Sequence, residues 1–145
     1  MARREQQRQP TTPGWIDPSL YPFAYHWIEL DGNLVHYVDE GSGPTLLLLH
    51  GNPTWSFVYR EIIRGLRDTY RCIAPDYPGF GLSVPRPGYR FTPEEHTAVI
   101  EQLVQALDLH DVTLMVHDWG GPIGLGVAGR HPERFRAFII GDSFA

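Results

Sequence analysis

Val116-His117-Asp118-Trp119-Gly120-Gly121 joins an apolar run to a glycine-rich segment and sets a carboxylate at the junction. The run Val112-Thr113-Leu114-Met115-Val116 reads as a short buried strand, and Gly120, Gly121, Gly124 and Gly126 let a helix begin almost in contact with it. Strand, sharp turn and helix make a nucleophile elbow, which in its G-x-S-x-G form pushes a serine into the open at the C-terminal edge of a sheet. Asp118 stands where that serine would be. An ionised carboxylate needs no base to act as a nucleophile. It can displace a leaving group at a saturated carbon, leaving an alkyl ester that water must then cleave. The plainer reading of an Asp before a helix is an N-cap. The small residues behind Asp118, and the upstream loop His50-Gly51-Asn52-Pro53, favour the nucleophile.

Composition bounds the rest. The chain has 145 residues, enough for one domain with a core but short for a sheet-based hydrolase with a covering lid. A formal net charge of -5 and a pI of 5.7, with no dense Lys/Arg cluster, argue against a nucleic-acid partner. No secretory h-region and no run of membrane-spanning length occurs, so a cytoplasmic protein without a membrane partner is expected. Cys72 is the one cysteine, lies in the apolar stretch Arg71-Cys72-Ile73-Ala74-Pro75, and reads as a small core residue.

Taken in order, residues 1–22 carry Pro10, Pro13 and Pro18 with little periodic apolar content, and read as a flexible tail ahead of a domain over 23–145. Residues 25–30 and 33–39 alternate around Asp31-Gly32, which predicts a hairpin. Thr45-Leu46-Leu47-Leu48-Leu49 is continuously apolar, as in a parallel strand covered on both faces. A helix is predicted over 56–67, with Phe57, Val58, Ile62, Ile63 and Leu66 inward, followed by a strand at 72–74 and a long loop from Asp76. Thr92-Pro93-Glu94-Glu95 satisfies the capping-box pattern and starts a helix running to about Asp108. Beyond the elbow come a helix to about Arg130, a stop at Pro132 and a strand over 137–140. Strands alternating with helices over connections of crossover length predict an α/β fold, a mostly parallel sheet with helices on both faces.

Three motifs in this order, His50-Gly51-Asn52-Pro53-Thr54-Trp55-Ser56, Ala74-Pro75-Asp76 with Gly79-Phe80-Gly81-Leu82-Ser83, and the elbow itself, resemble the haloalkane dehalogenases, in the Asp-nucleophile branch of the α/β-hydrolase superfamily. The likeness covers nearly all of the chain from about residue 25 and implies a hydrolase that needs neither metal nor cofactor. It implies that Asp118 displaces halide and that Trp119 and Asn52 hold the departing ion through neutral N–H donors. Such donors favour the transition state, because the halide gains charge only as its bond to carbon breaks. The backbone N–H groups of Asn52 and Trp119 would form the oxyanion hole for water's attack on the ester. The partners implied are a small halogenated or epoxide substrate, water and a halide ion; oligomeric state is not legible.

His50 and His117 abut their motifs and are expected to be hydrogen-bonded structural residues, Asp76 a loop organiser and Ser83 a turn residue. The family's histidine base and lid fall later in a longer chain, so the resemblance implies an N-terminal portion, inactive in turnover by itself. Some subfamilies place the histidine's acid after the strand that follows the elbow; Asp142 is the candidate, one residue out of the simple alternation along a strand. An epoxide hydrolase, a coelenterazine-type luciferase and a non-catalytic fragment are the competing readings. Asn52 disfavours the epoxide hydrolase, and the lack of an elbow serine disfavours ester hydrolysis by a serine enzyme.

Overall fold

A computed structural model describes residues 10–145. Six strands form one sheet: β1 (His26–Leu30), β2 (Asn33–Glu40), β3 (Thr45–Leu49), β4 (Arg71–Pro75), β5 (Val112–Asp118) and β6 (Phe135–Ser143). Their spatial order is β1-β2-β4-β3-β5-β6. The hairpin β1–β2 and the β2–β4 pair are antiparallel, whereas β4, β3, β5 and β6 run parallel. The crossovers between them carry α1 (Arg60–Leu66), α2 (Pro93–Ala106) and α3 (Gly120–Arg130).

The leucine run of β3 explains why helices cover both faces. Side chains alternate along a strand, so Leu47 and Leu49 enter one cluster with Ile100, Val104, Ile123 and Val127 of α2 and α3. Leu46 and Leu48 enter another with Tyr59 and Ile63 beside α1. Cys72 belongs to this second cluster, fully buried, and burial pushes its thiol up to about 11.

Local signals hold with two adjustments. Thr92 Oγ1 accepts a hydrogen bond from Glu95 N at 3.2 Å, capping α2. The Glu95 carboxylate does not close the box. It accepts instead from Arg90 N at 2.6 Å and from the Arg86 guanidinium at 3.2 Å, tying the preceding loop to the helix start. The helix expected at 56–67 opens as a 3₁₀ turn, Ser56–Tyr59, before α1. Three residues per turn puts Ser56 and Tyr59 on the inner side and swings Val58 outward to 41 % exposure, against the expectation for Val58.

The tail assignment needs correcting too. Residues 1–9 lie outside the described residues, but Ile16 and Tyr21 are buried in the second cluster, and Tyr21 Oη lies 2.6 Å from Ser56 Oγ. Aromatic bulk supplied this anchoring where periodicity gave no sign of it.

β6 is longer than expected and, among the described residues, forms one edge of the sheet, paired only with β5. Phe138, Ile139 and Ile140 on it are 47 %, 48 % and 54 % exposed. Unpaired edges with apolar side chains template association. Sedimentation of the 145-residue chain is expected to show species above 16.5 kDa that grow with concentration, and Ile139→Lys with Ile140→Lys to suppress them. A monomer at all concentrations would contradict this.

Candidate active site

Asp118 ends β5 with φ of +52°, in the left-handed region that L-residues with a Cβ avoid. The surroundings hold it there. A Cβ on Gly120 would overlap the Leu49 carbonyl oxygen, one on Gly121 would overlap Ser143 Oγ, and one on Gly51 would overlap Asp118 Cβ. Ser143 Oγ donates to the Asp118 carbonyl at 2.6 Å, tethering the bend to β6. The Asp118 carboxylate does not cap α3. It accepts from the adjacent Trp119 N–H, and the helix has no side-chain cap at its start. Asp118 is only partly buried.

The loop after β3 is fixed from beneath. His50 is fully buried; its Nδ1 donates to the Gly51 carbonyl at 2.8 Å and its Nε2 accepts from Tyr77 N at 3.2 Å. Tyr77 Oη donates to the His50 carbonyl at 2.8 Å. Desolvation holds the His50 pKa below its usual value, so the ring is neutral with both nitrogens engaged. It is a structural residue, as expected. His117 differs from expectation: its Nδ1 is buried without a hydrogen-bond partner among the described residues.

Asp76 organises the second loop. Its carboxylate accepts from Ser56 N at 2.8 Å, Leu82 N at 3.0 Å and His36 Nδ1 at 2.9 Å, and its carbonyl accepts from Ser83 Oγ at 2.7 Å. Gly81 has no room for a Cβ against this carboxylate.

Between the two loops and the elbow lies a cavity of about 320 Å³. Gly51, Asn52, Trp119, Tyr77, Phe80 and Phe91 line it, and His96 and Ile123 come from the helices. Asn52 and Trp119 therefore face one space. The exposed indole of Trp119 packs edge-on against Phe144 at 5.0 Å. Sequence reasoning missed Phe80, Phe91 and His96. The signal available was positional, since ligands in open α/β sheets bind outside the carboxyl ends of the strands, where the 76–92 loop lies.

Asp142 occupies a bulge. His117 pairs with Gly141 and Asp118 with Ser143, leaving Asp142 as the extra residue, with φ of +43°. Strict alternation does not apply across a bulge, so the one-residue discrepancy in the sequence argument has a structural origin.

This sheet order, with the elbow at the end of β5, coincides with a sequence finding: the family profile for the alpha/beta hydrolase fold matches residues 44–143. The chain belongs to the α/β-hydrolase fold family. Within that family it is similar to the N-terminal portion of haloalkane dehalogenases. Haloalkane dehalogenase 2 of Mycobacterium tuberculosis is 49 % identical over 128 residues, 88 % of this chain and 45 % of that protein. A cis-3-alkyl-4-alkyloxetan-2-one decarboxylase of Shewanella oneidensis is 44 % identical over 84 % of this chain and 39 % of its own length. Among solved structures, the haloalkane dehalogenase DatA of Agrobacterium tumefaciens C58 superposes with a TM-score of 0.78 at 36 % identity, over 83 % of this chain and 41 % of that one. The chain thus spans less than half the length of these relatives.

For this α/β-hydrolase fold, the glycine contacts predict that Gly120→Ala lowers stability by about 1–3 kcal/mol through overpacking against backbone. Asp76→Ala is expected to cost about 3–5 kcal/mol, because it strands buried His36, the buried Ser56 amide and the part-buried Leu82 amide. Urea denaturation midpoints check both; an unchanged midpoint for either would refute its account.

Proposed function

We propose that this chain carries the nucleophile and the leaving-group site of a hydrolytic haloalkane dehalogenase. One observation supports the reading: Asn52 and Trp119 line a single cavity next to an aspartate set in a left-handed bend that does not cap its helix. The similarity to dehalogenases over most of the chain supports it.

An Asp118 carboxylate oxygen attacks the carbon bearing the halogen. The carbon–halogen bond breaks and the halide leaves with the electron pair, accepting hydrogen bonds from Asn52 Nδ2–H and Trp119 Nε1–H. These donors are neutral, so they stabilise charge as it develops without binding the substrate strongly beforehand. The product is an alkyl ester of Asp118. Water then attacks the ester carbonyl carbon, and the resulting oxyanion is held by the backbone N–H groups of Asn52 and Trp119. The Trp119 N–H donates to the Asp118 carboxylate, which supports giving it this role. The second step needs a base. His50 cannot serve, with both ring nitrogens bonded. Asp142, carried on its bulge beside the elbow, is the acid that would orient a histidine supplied from elsewhere.

The first half-reaction requires only groups in this chain. Exposure to 1-bromohexane is therefore expected to release up to one equivalent of bromide and to add a hexyl group to the peptide containing Asp118, read by mass spectrometry. Asp118→Asn should abolish both, and Trp119→Phe should slow them about tenfold or more. Bromide release with an unmodified Asp118 would exclude the ester.

The oxetanone decarboxylase relative motivates one second reading, in which the cavity receives a four-membered lactone. Products separate the two: a cis-dialkyl oxetan-2-one would lose carbon dioxide and leave an alkene, whereas a bromoalkane yields bromide.

A further inference from the structure

His96 is the polar side chain that α2 contributes to an otherwise mostly aromatic part of the cavity. It is 6 % exposed, and the rings of Tyr77, Phe80 and Tyr89 surround it at centroid distances of 5.0, 5.6 and 5.5 Å. Its Nδ1 lies 2.8 Å from Tyr89 Oη. Among the described residues its Nε2 has no hydrogen-bond partner, yet it is not sealed in protein as His36 Nε2 and His117 Nδ1 are. It opens on the cavity.

The bond to Tyr89 decides where the ring proton sits. Tyr89 is buried, and its hydroxyl has no second partner among the described residues. Were Nδ1–H the donor, the phenol hydrogen would have no acceptor among the described residues. With the phenol donating to Nδ1, the ring carries its proton on Nε2, facing the cavity. Desolvation pushes the His96 pKa down to about 4, so this donor is neutral at physiological pH.

We propose that His96 is a specificity residue, whose Nε2–H donates to a neutral oxygen acceptor (ether, hydroxyl or carbonyl) carried by the substrate away from the reacting carbon. The proposal rests on reading the cavity as the substrate site. A plain hydrocarbon chain laid against His96 would leave the donor unpaired, and a site with a buried hydrogen-bonding group discriminates against an analogue that cannot engage it. A charged acceptor is disfavoured, because the aromatic wall offers it no countercharge.

The test uses Asp118→Asn, to keep ligands unreacted, with histidine labelled in nitrogen-15. The free protein should show His96 as the Nε2–H tautomer. Adding 4-bromo-1-butanol should shift the Nε2 resonance, whereas its hydrocarbon counterpart 1-bromopentane should not. The ratio of the two dissociation constants should then change against the alcohol by about fivefold to tenfold in His96→Phe, a comparison in which the unequal hydration of the ligands cancels. Tyr89→Phe, which keeps His96, should shift the tautomer balance and reduce the preference part-way. Bromide titration followed at the Trp119 indole N–H reports on the leaving-group site separately. Bromide binding with an Nδ1–H tautomer, or with a ligand ratio that His96→Phe leaves unchanged, would overturn the role of His96 and leave the dehalogenase reading standing. No perturbation by bromide or by either bromoalkane would overturn both.

Discussion

Two backbones meet at the elbow at a separation that only hydrogen side chains permit. Gly120 lies against the carbonyl of Leu49, so the end of β3 and the start of α3 touch backbone to backbone, and Gly51 beside them lies against the Asp118 side chain. Gly124 continues the contact one turn later, against Leu114, Leu49 and Val116. This closeness lets a short turn reverse the chain with Asp118 at φ of +52°, a conformation of a kind that persists only where surrounding structure over-determines it. Parallel pairing of β5 on both sides, to β3 and to β6, supplies that support, and the Ser143 bond to the Asp118 carbonyl adds a local tether. The neighbouring loops are then built outward from fixed strand ends.

The histidines near the site show how partners, not residue type, decide chemistry. His50 has a partner on each nitrogen and is inert. His36 gives one nitrogen to Asp76 while the other is sealed in protein, so it serves the loop scaffold. His96 shares one nitrogen with Tyr89 and keeps the other toward open space. Of the three, only His96 is poised to meet a ligand. In the proposed function the donors are the Asn52 amide, the Trp119 indole and this imidazole, all neutral, which would suit an apolar substrate whose charge appears only during reaction.

Much of the architecture was legible because its signals are local. The Asp31-Gly32 turn, the unbroken leucines of β3, the Thr92 cap and the glycines after Asp118 each act within a few residues, and each lies where expected. The fold class followed from their alternation. What escaped depends on long-range packing. Phe80, Phe91 and His96 reach the cavity because Asp76 and Glu95 fold the intervening loop back on itself, an arrangement that has no periodic signature. The bulge at Asp142 is a matter of strand pairing, and one extra residue cannot be seen from a single strand. Val58 was misplaced because a 3₁₀ turn and an α-helix share composition but differ in pitch.

Burial of the N-terminal lead-in has a practical consequence for anyone handling this protein. Trp15 packs edge-on against Trp55 at 5.8 Å, and Tyr21 shares a hydrogen bond with Ser56, whose amide is held by Asp76. These residues brace the back of the same loop that presents Asn52 on its front. Trimming the polypeptide to its first strand, a tempting choice when proline-rich leaders look dispensable, would strip away that brace. The damage would surface well downstream in the chain, as slack in Asn52.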